Sequence, residues 1–153
     1  MSDASQALQD LEISTDPAML DVDLIHGFLT TSYWADGRPR EVVERCIRNS
    51  LCFGVYHAGR QIAFARVVSD KAVFAYLADV FVVPEFRGRG VSKALVRAIL
   101  DHPELENLRL FLLGTRDAHG LYQQFGFRGL ANPDRMMEIR STDSELRDPA
   151  RSG

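Results

Sequence analysis

The chain has 153 residues, of which 46% are hydrophobic and 25% are charged. This length and composition are typical of one soluble domain with a single core. The net charge of −3 disfavours a nucleic-acid-binding protein. The sequence has no apolar run as long as a membrane span and begins with polar and acidic residues, so we expect a cytoplasmic protein with no membrane partner. Cys46 and Cys52 have neither metal nor redox spacing, which favours buried free thiols.

Charge is distributed unevenly along the sequence. Acidic residues from Asp3 to Asp36 precede the first basic residue, Arg38. Basic residues cluster later, at Arg87, Arg89, Lys93 and Arg97. This pattern indicates an anionic ligand near the later cluster. The acidic segment suits either a cationic partner or simply a solvated face.

In the N-terminal half, hydrophobic spacing predicts a strand over residues 11–15 and helices over residues 19–29 and 39–50. Residues 51–57 and 61–68 are typical of a hairpin. Residues 72–83 are almost continuously apolar, which predicts a strand buried on both faces. Residues 1–9 and 141–153 are polar and are expected to form flexible tails of one domain spanning residues 1–153.

The central segment has the order strand, glycine turn, helix. The strand ends at Pro84, the turn contains Gly88 and Gly90, and apolar residues then recur at helical spacing from Val91. Such a turn leaves the first amides of the helix unpaired at its positive end, which is a binding site for a phosphate.

The next apolar segment, residues 108–113, is expected to be a buried strand parallel to the one before the turn. A helix over residues 117–125 and a pair of strands over residues 127–130 and 135–139 complete the prediction. The fold class is therefore α+β, with a mixed, mostly antiparallel sheet flanked by helices and a central strand-helix-strand parallel crossover.

Two segments carry a family resemblance. Arg87-x-x-Gly90-x-Ser92 resembles the acyl-CoA pyrophosphate signature Q/R-x-x-G-x-G/A of the GNAT acetyltransferase superfamily, with Ser92 where the family usually has Gly or Ala. The segment from Ala118 to Phe127 is similar to the A-x-x-L-Y-x-x-x-G-F segment of the same superfamily. The resemblance implies acetyl transfer from acetyl-CoA to an amine, without a metal.

The resemblance also implies roles for individual residues. Tyr122 would be the general acid for the departing thiolate, since a phenol can protonate a thiolate within hydrogen-bond reach. Thr115 stands where the family often has an asparagine that contacts the cofactor. A backbone amide near Phe81 or Val82 would meet the oxyanion if a bulge is present there. The cofactor-binding residues would be Val80, Phe81, Val82, Arg87, Gly88, Arg89, Gly90, Val91, Ser92, Lys93 and Thr115.

The acceptor side has no specific signature. Asp79, buried in its strand, is either the general base or a carboxylate satisfied by backbone donors or an arginine. Tyr33 and Trp34 follow the first helix and could receive a cationic amine by cation–π contact, or Trp34 could anchor the loop on the core. Tyr76 could line the acceptor pocket.

The leading hypothesis is an N-acetyltransferase that works by direct attack in a ternary complex, on a small or peptide amine. One alternative is a non-catalytic acyl-CoA-binding regulatory module. Another is a dinucleotide-binding module, which the glycine spacing disfavours. Homodimer formation stays open.

Overall fold

The computed structural model describes residues 10–141, so the predicted tails lie outside the described residues except for Ser141. The described part contains five strands, β1 to β5, and four α-helices, α1 to α4. The strands are Leu11–Ser14, Leu51–His57, Arg60–Ser69, Phe74–Val82 and Leu110–Leu113. The helices are Val22–Leu29, Arg40–Arg48, Val91–Leu100 and His119–Gln123.

The five strands form one sheet in the order β1-β2-β3-β4-β5. Neighbours from β1 to β4 are antiparallel, whereas β4 and β5 are parallel and joined through α3. The predicted fold class is therefore confirmed.

Apolar side chains cover both faces of this sheet. On one face, α3 packs Val91, Leu95, Val96 and Ile99 against the strands. On the other face, α1 and α2 contribute Ile25, Leu29 and Val43, which pack with Phe64 and Phe81. Because side chains alternate along a strand, a residue such as Phe64 faces one layer and its neighbour Ala65 the other. The sheet is thus held between two helical layers.

A β-bulge interrupts the pairing of β3 with β4. Phe64 pairs with Phe81 and Arg66 pairs with Ala78, so Asp79 and Val80 together oppose a single residue of β3. Asp79 has a φ of 54°, in the left-handed region, which Asp tolerates better than most residues with a Cβ. A bulge bends its strand and re-aims side chains.

The pairing of β4 with β5 ends before this bulge, at Leu77 and Leu113. Beyond that point a gap separates β4 from the segment that follows β5. The sheet therefore opens where the resemblance places the acyl-CoA site.

The predicted strands over residues 127–130 and 135–139 are wrong, because neither segment is in a strand. Pro133–Arg135 forms a 3-10 turn instead, and the side chains of Met137 and Ile139 are almost fully exposed. A strand needs a partner for its backbone groups, and this segment pairs with no strand among residues 10–141.

The predicted burial of two strands is also wrong. Phe74 and Tyr76 of β4 are 36% and 40% exposed, and Leu110 of β5 is 44% exposed. β5 lies at the edge of the sheet, where a side chain lacks a neighbour on one side. The last helix, α4, is shorter than predicted. Among residues 10–141, no helix is long and apolar enough to cross a membrane.

Candidate active site

A cavity of about 550 Å³ lies at the gap between β4 and the end of β5. It brings together residues that are far apart in sequence and that the sequence analysis selected. These residues are Tyr33, Trp34, Tyr76, Asp79, Val80, Thr115 and Tyr122. The predicted acid, the candidate base and the acceptor residues therefore share one cavity.

A second cavity of about 240 Å³ lies at the glycine turn. Most of the predicted cofactor residues line it, namely Val82, Arg87, Gly88, Gly90, Val91, Ser92 and Lys93. Val80 and Thr115 line the larger cavity, and two predicted residues line neither. Phe81 is buried and its ring stacks on Phe28, with centroids 4.1 Å apart, while the Arg89 guanidinium lies 5.2 Å from the ring centroid of Phe86.

The turn has the geometry of an anion site. Gly88 and Gly90 have φ angles of 75° and 82°, which glycine adopts without strain. The N–H of Ala94 donates to the carbonyl of Gly90 at 3.1 Å, so the amides of Val91 and its two successors have no acceptor within α3. These amides lie at the positive end of the helix and line the cavity.

Arg87 is fixed beside this turn. Its Nε donates to the carbonyl oxygen of Val82 at 3.1 Å, and its guanidinium carbon lies 5.9 Å from the ring centroid of Phe28. The guanidinium is therefore oriented by the end of β4 before any anion arrives.

The pairing of β4 with β3 determines the direction of the backbone amides near the gap. The N–H of Val83 donates to the carbonyl of Ile62 at 2.8 Å, and antiparallel residues alternate between facing the partner strand and facing away. Phe81 therefore directs its N–H toward β3, whereas Val82 directs its N–H to the opposite edge. The bulge lies at Asp79 and Val80, just before the predicted position.

Tyr122 lies on α4 and is 7% exposed. Burial raises the pKa of its phenol above the usual value, and the nearby Tyr33 phenol raises it further. The helix that carries it is held by Thr115, whose Oγ1 accepts a hydrogen bond from the N–H of Ala118 at 3.0 Å. Because its pKa is raised, the Tyr122 phenol keeps its proton at neutral pH.

Asp79 is the centre of a buried polar cluster. Its Oδ1 accepts from Trp34 Nε1 at 3.0 Å and its Oδ2 accepts from Arg66 Nε at 2.7 Å. Arg38 Nη1 lies 3.4 Å from both oxygens. The Asp79 side chain is only 3% exposed, and those of Arg66 and Arg38 are 14% and 15% exposed. These contacts favour the alternative of a carboxylate satisfied by arginine, and they anchor Trp34.

Sequence reasoning missed the arginines of this cavity. Arg38, Arg66, Arg116 and Arg140 all line it. Arg66 carried a usable signal, because it is the one charged residue within the apolar run from Ile62 to Val68. Arg116 lies outside the predicted basic cluster, and its guanidinium carbon is 3.7 Å from the ring centroid of Tyr33.

No group of three or more metal-ligating side chains occurs among residues 10–141. Neither cysteine is among the described residues that line the two cavities. Burial raises the pKa of the Cys52 thiol to about 12. Cys52 is therefore a core residue and not a nucleophile.

Comparisons with known proteins agree with this architecture. A family profile, the acetyltransferase (GNAT) domain, matches residues 48–129. FG08082 of Gibberella zeae, described as an acetyltransferase, is 30% identical over 154 residues, covering 85% of this chain and 86% of its own.

Two solved structures extend the comparison. A Xanthomonas campestris pv. campestris protein assigned to the GNAT family is 52% identical with a TM-score of 0.84, over 86% of this chain and 93% of that one. A Deinococcus radiodurans R1 structure with 20% identity and a TM-score of 0.68, over 87% of this chain and 90% of that one, shows the fold alone. The resemblance seen in the two motifs is confirmed: this chain is an acetyltransferase and belongs to the GNAT family.

Proposed function

We propose that the protein transfers an acetyl group from acetyl-CoA to a primary amine by direct attack in a ternary complex. One observation carries the proposal. A turn with three unpaired helical amides and a buried tyrosine lie at two neighbouring cavities along the open edge of β4. This arrangement supports binding of a phosphate-bearing thioester with its reactive end near Tyr122.

The residues of the turn fit acetyl-CoA. A Cβ added at Gly88 would meet nothing within 4 Å, so the backbone is open to close approach by a ligand. The amides of Val91, Ser92 and Lys93 would hold the pyrophosphate, and the arginine at position 87 would add charge. When bound, acetyl-CoA supplies an acetyl group activated as a thioester.

The chain's own residues would then serve the reaction. The outward-facing amide of Val82, together with the amide of Val80 in the bulge, would donate to the carbonyl oxygen on which negative charge develops. As the carbon–nitrogen bond forms and the carbon–sulfur bond breaks, Tyr122 would donate its proton to the thiolate. Direct attack is supported by the position of both cysteines outside the cavities.

The amine must lose a proton before it attacks. Because three donors engage the carboxylate of Asp79, we assign it to positioning Trp34 and Arg66, and we route the proton from the amine to water. This leaves Tyr122 as the only titratable side chain to which we assign proton transfer.

The test is thiol release from acetyl-CoA across a panel of primary amines. We expect amine-dependent release that falls about 100-fold in Tyr122→Phe while acetyl-CoA affinity is retained. Tyr56→Phe is the matched control, because Tyr56 is also buried but does not line either cavity. Saturable acetyl-CoA binding with no release for any amine would favour the regulatory module instead.

For location we propose the cytoplasm, supported by two free cysteines in a chain of this length. For assembly we propose a homodimer, supported by the open edge of β5 and the exposed side chains of Met136, Met137 and Ile139. Light scattering of the protein as it elutes from a size-exclusion column tests the assembly, and a monomer at micromolar concentration would refute the homodimer.

A further inference from the structure

We propose that the acceptor amine carries an anionic group, a carboxylate or a phosphate, that the arginines of the larger cavity bind. This inference rests on the proposed function, because it names the substrate class of the same site. The basis is the charge of the lining. The described residues that line the cavity include four arginines and two aspartates, so positive charges exceed negative charges by two.

The two aspartates offer little to a cationic acceptor. Asp79 already accepts hydrogen bonds from Trp34, Arg38 and Arg66. Asp117 is 70% exposed and lies 3.9 Å from the guanidinium of Arg116. A second cation would therefore meet carboxylates that arginines already neutralise.

One face of the aromatic pair is already occupied by a cation of the protein itself. The guanidinium of Arg116 covers the ring of Tyr33 at 3.7 Å, and the Trp34 ring contacts Tyr33 edge-on with centroids 5.1 Å apart. The cation–π interaction expected from the sequence is thus made within the protein, by an arginine that also lines the cavity.

The described acidic residues near the N-terminus, from Asp10 to Asp36, do not line the cavity. Asp21 caps α1 by accepting from the N–H of Leu24 at 3.0 Å, and Asp23 pairs with Arg40 on the surface. Neither aspartate is among the described residues that line the cavity. Among the described residues, the alternative of a cationic partner for this segment therefore has no counterpart at the site, which favours the solvated face.

An anionic acceptor suits both the cavity and the reaction. A guanidinium matches the planar geometry of a carboxylate and the oxygens of a phosphate, and it binds either in a bidentate manner. Positive surroundings also disfavour the ammonium form of the bound amine, so they increase the fraction that can attack. Arg66 is rigidly held by Asp79 and by Ser50 Oγ at 3.2 Å. Arg140 pairs with Glu138 at 2.7 Å and Arg116 lies 3.9 Å from Asp117, but both pairs are on the surface, where an ion pair contributes little and an anionic ligand can compete for the arginine.

The test uses Trp34, the only tryptophan of the chain, as a binding probe within the cavity. Its fluorescence is titrated with matched amines that differ in charge. β-Alanine is compared with β-alaninamide and phosphoethanolamine with ethanolamine; the second member of each pair, the neutral partner, has an uncharged group in place of the anionic one. 1,3-Diaminopropane, with a second amine, serves as the cationic member. We expect each anionic amine to bind at least about tenfold more tightly than its neutral partner. The carboxylate and phosphate pairs show which anion is preferred.

Variants connect the preference to the arginines. We expect the ratio of anionic to neutral affinity to fall about fivefold or more in Arg116→Gln, and further when Arg140→Gln is added. Arg48→Gln, an exposed arginine outside the cavity, is the control and keeps the ratio. Equal or tighter binding of the neutral or cationic members, no saturable binding of any anionic amine, or an equal effect of Arg48→Gln would overturn the inference.

The same amines are then assayed for thiol release. If the anionic amines bind but no amine causes thiol release, the proposed function is refuted and this inference stands. Thiol release with cationic amines alone would support the proposed function and refute this inference.

Discussion

Asp79 is the residue whose replacement tests the structural account most directly. In Asp79→Asn the side chain keeps its size and its tolerance of the left-handed backbone but loses its charge. Arg66, whose side chain is 14% exposed, would then lack its carboxylate partner at 2.7 Å. Removing one partner of a buried ion pair costs about 3–5 kcal/mol. Because both arginines keep some contact with water, we expect the low end, about 3 kcal/mol of unfolding free energy.

Urea unfolding at pH 7, followed by circular dichroism, measures this loss. Asp23→Asn is the control, because Asp23 pairs with Arg40 but is 83% exposed, and an ion pair so exposed contributes little to stability. A loss in Asp79→Asn no larger than the control would refute the buried cluster. A large fall in kcat without loss of stability would instead restore Asp79 as the base.

Three further predictions concern residues outside this cluster. Tyr56 has a buried hydroxyl without a hydrogen-bond partner among the described residues, so Tyr56→Phe should stabilise the protein by about 1 kcal/mol in urea unfolding. Burial raises the pKa of the Tyr56 phenol, so above pH 10 the phenol ionises more readily in the unfolded state than in the folded state. The unfolding free energy of the wild type should therefore fall above pH 10, and it should fall less steeply in Tyr56→Phe. Ellman's reagent should modify the buried Cys52 far more slowly than the half-buried Cys46 in native protein, and a faster reaction at Cys52 would contradict its pKa of about 12. Gly88→Ala and Gly59→Ala, both at positive φ with open space around an added Cβ, should each cost about 1 kcal/mol, whereas only Gly88→Ala should weaken acetyl-CoA binding in calorimetry.

The sequence predicted the central part of the fold because local chemistry determines it. Pro84 ends a strand, Gly88 and Gly90 permit the turn, and the apolar spacing from Val91 predicts α3. The structure has the same three features in the same order. Each depends on neighbours in sequence, so no knowledge of tertiary contacts was needed.

The prediction of strands over residues 127–130 and 135–139 failed because it used only local pattern. Residues 135–139 include Met136, Met137 and Ile139, whose apolar character resembles that of a strand. Strand formation depends on a partner edge, which a local pattern does not report. The arginines of the cavity were missed for a related reason. Arg38, Arg66, Arg116 and Arg140 come from four separate segments, and only the folded chain brings them together.

The bulge explains why the arginine cluster and the open edge of β4 occur at one place. Glycine would meet the left-handed φ at position 79 with less strain, but it has no carboxylate to hold Trp34 and Arg66. Asp79 adopts the left-handed backbone conformation and also supplies that carboxylate. The residue at which pairing with β3 is interrupted therefore also anchors one wall of the larger cavity. The bulge at Asp79 and Val80 therefore lies in the wall of the larger cavity that Trp34 and Arg66 also line.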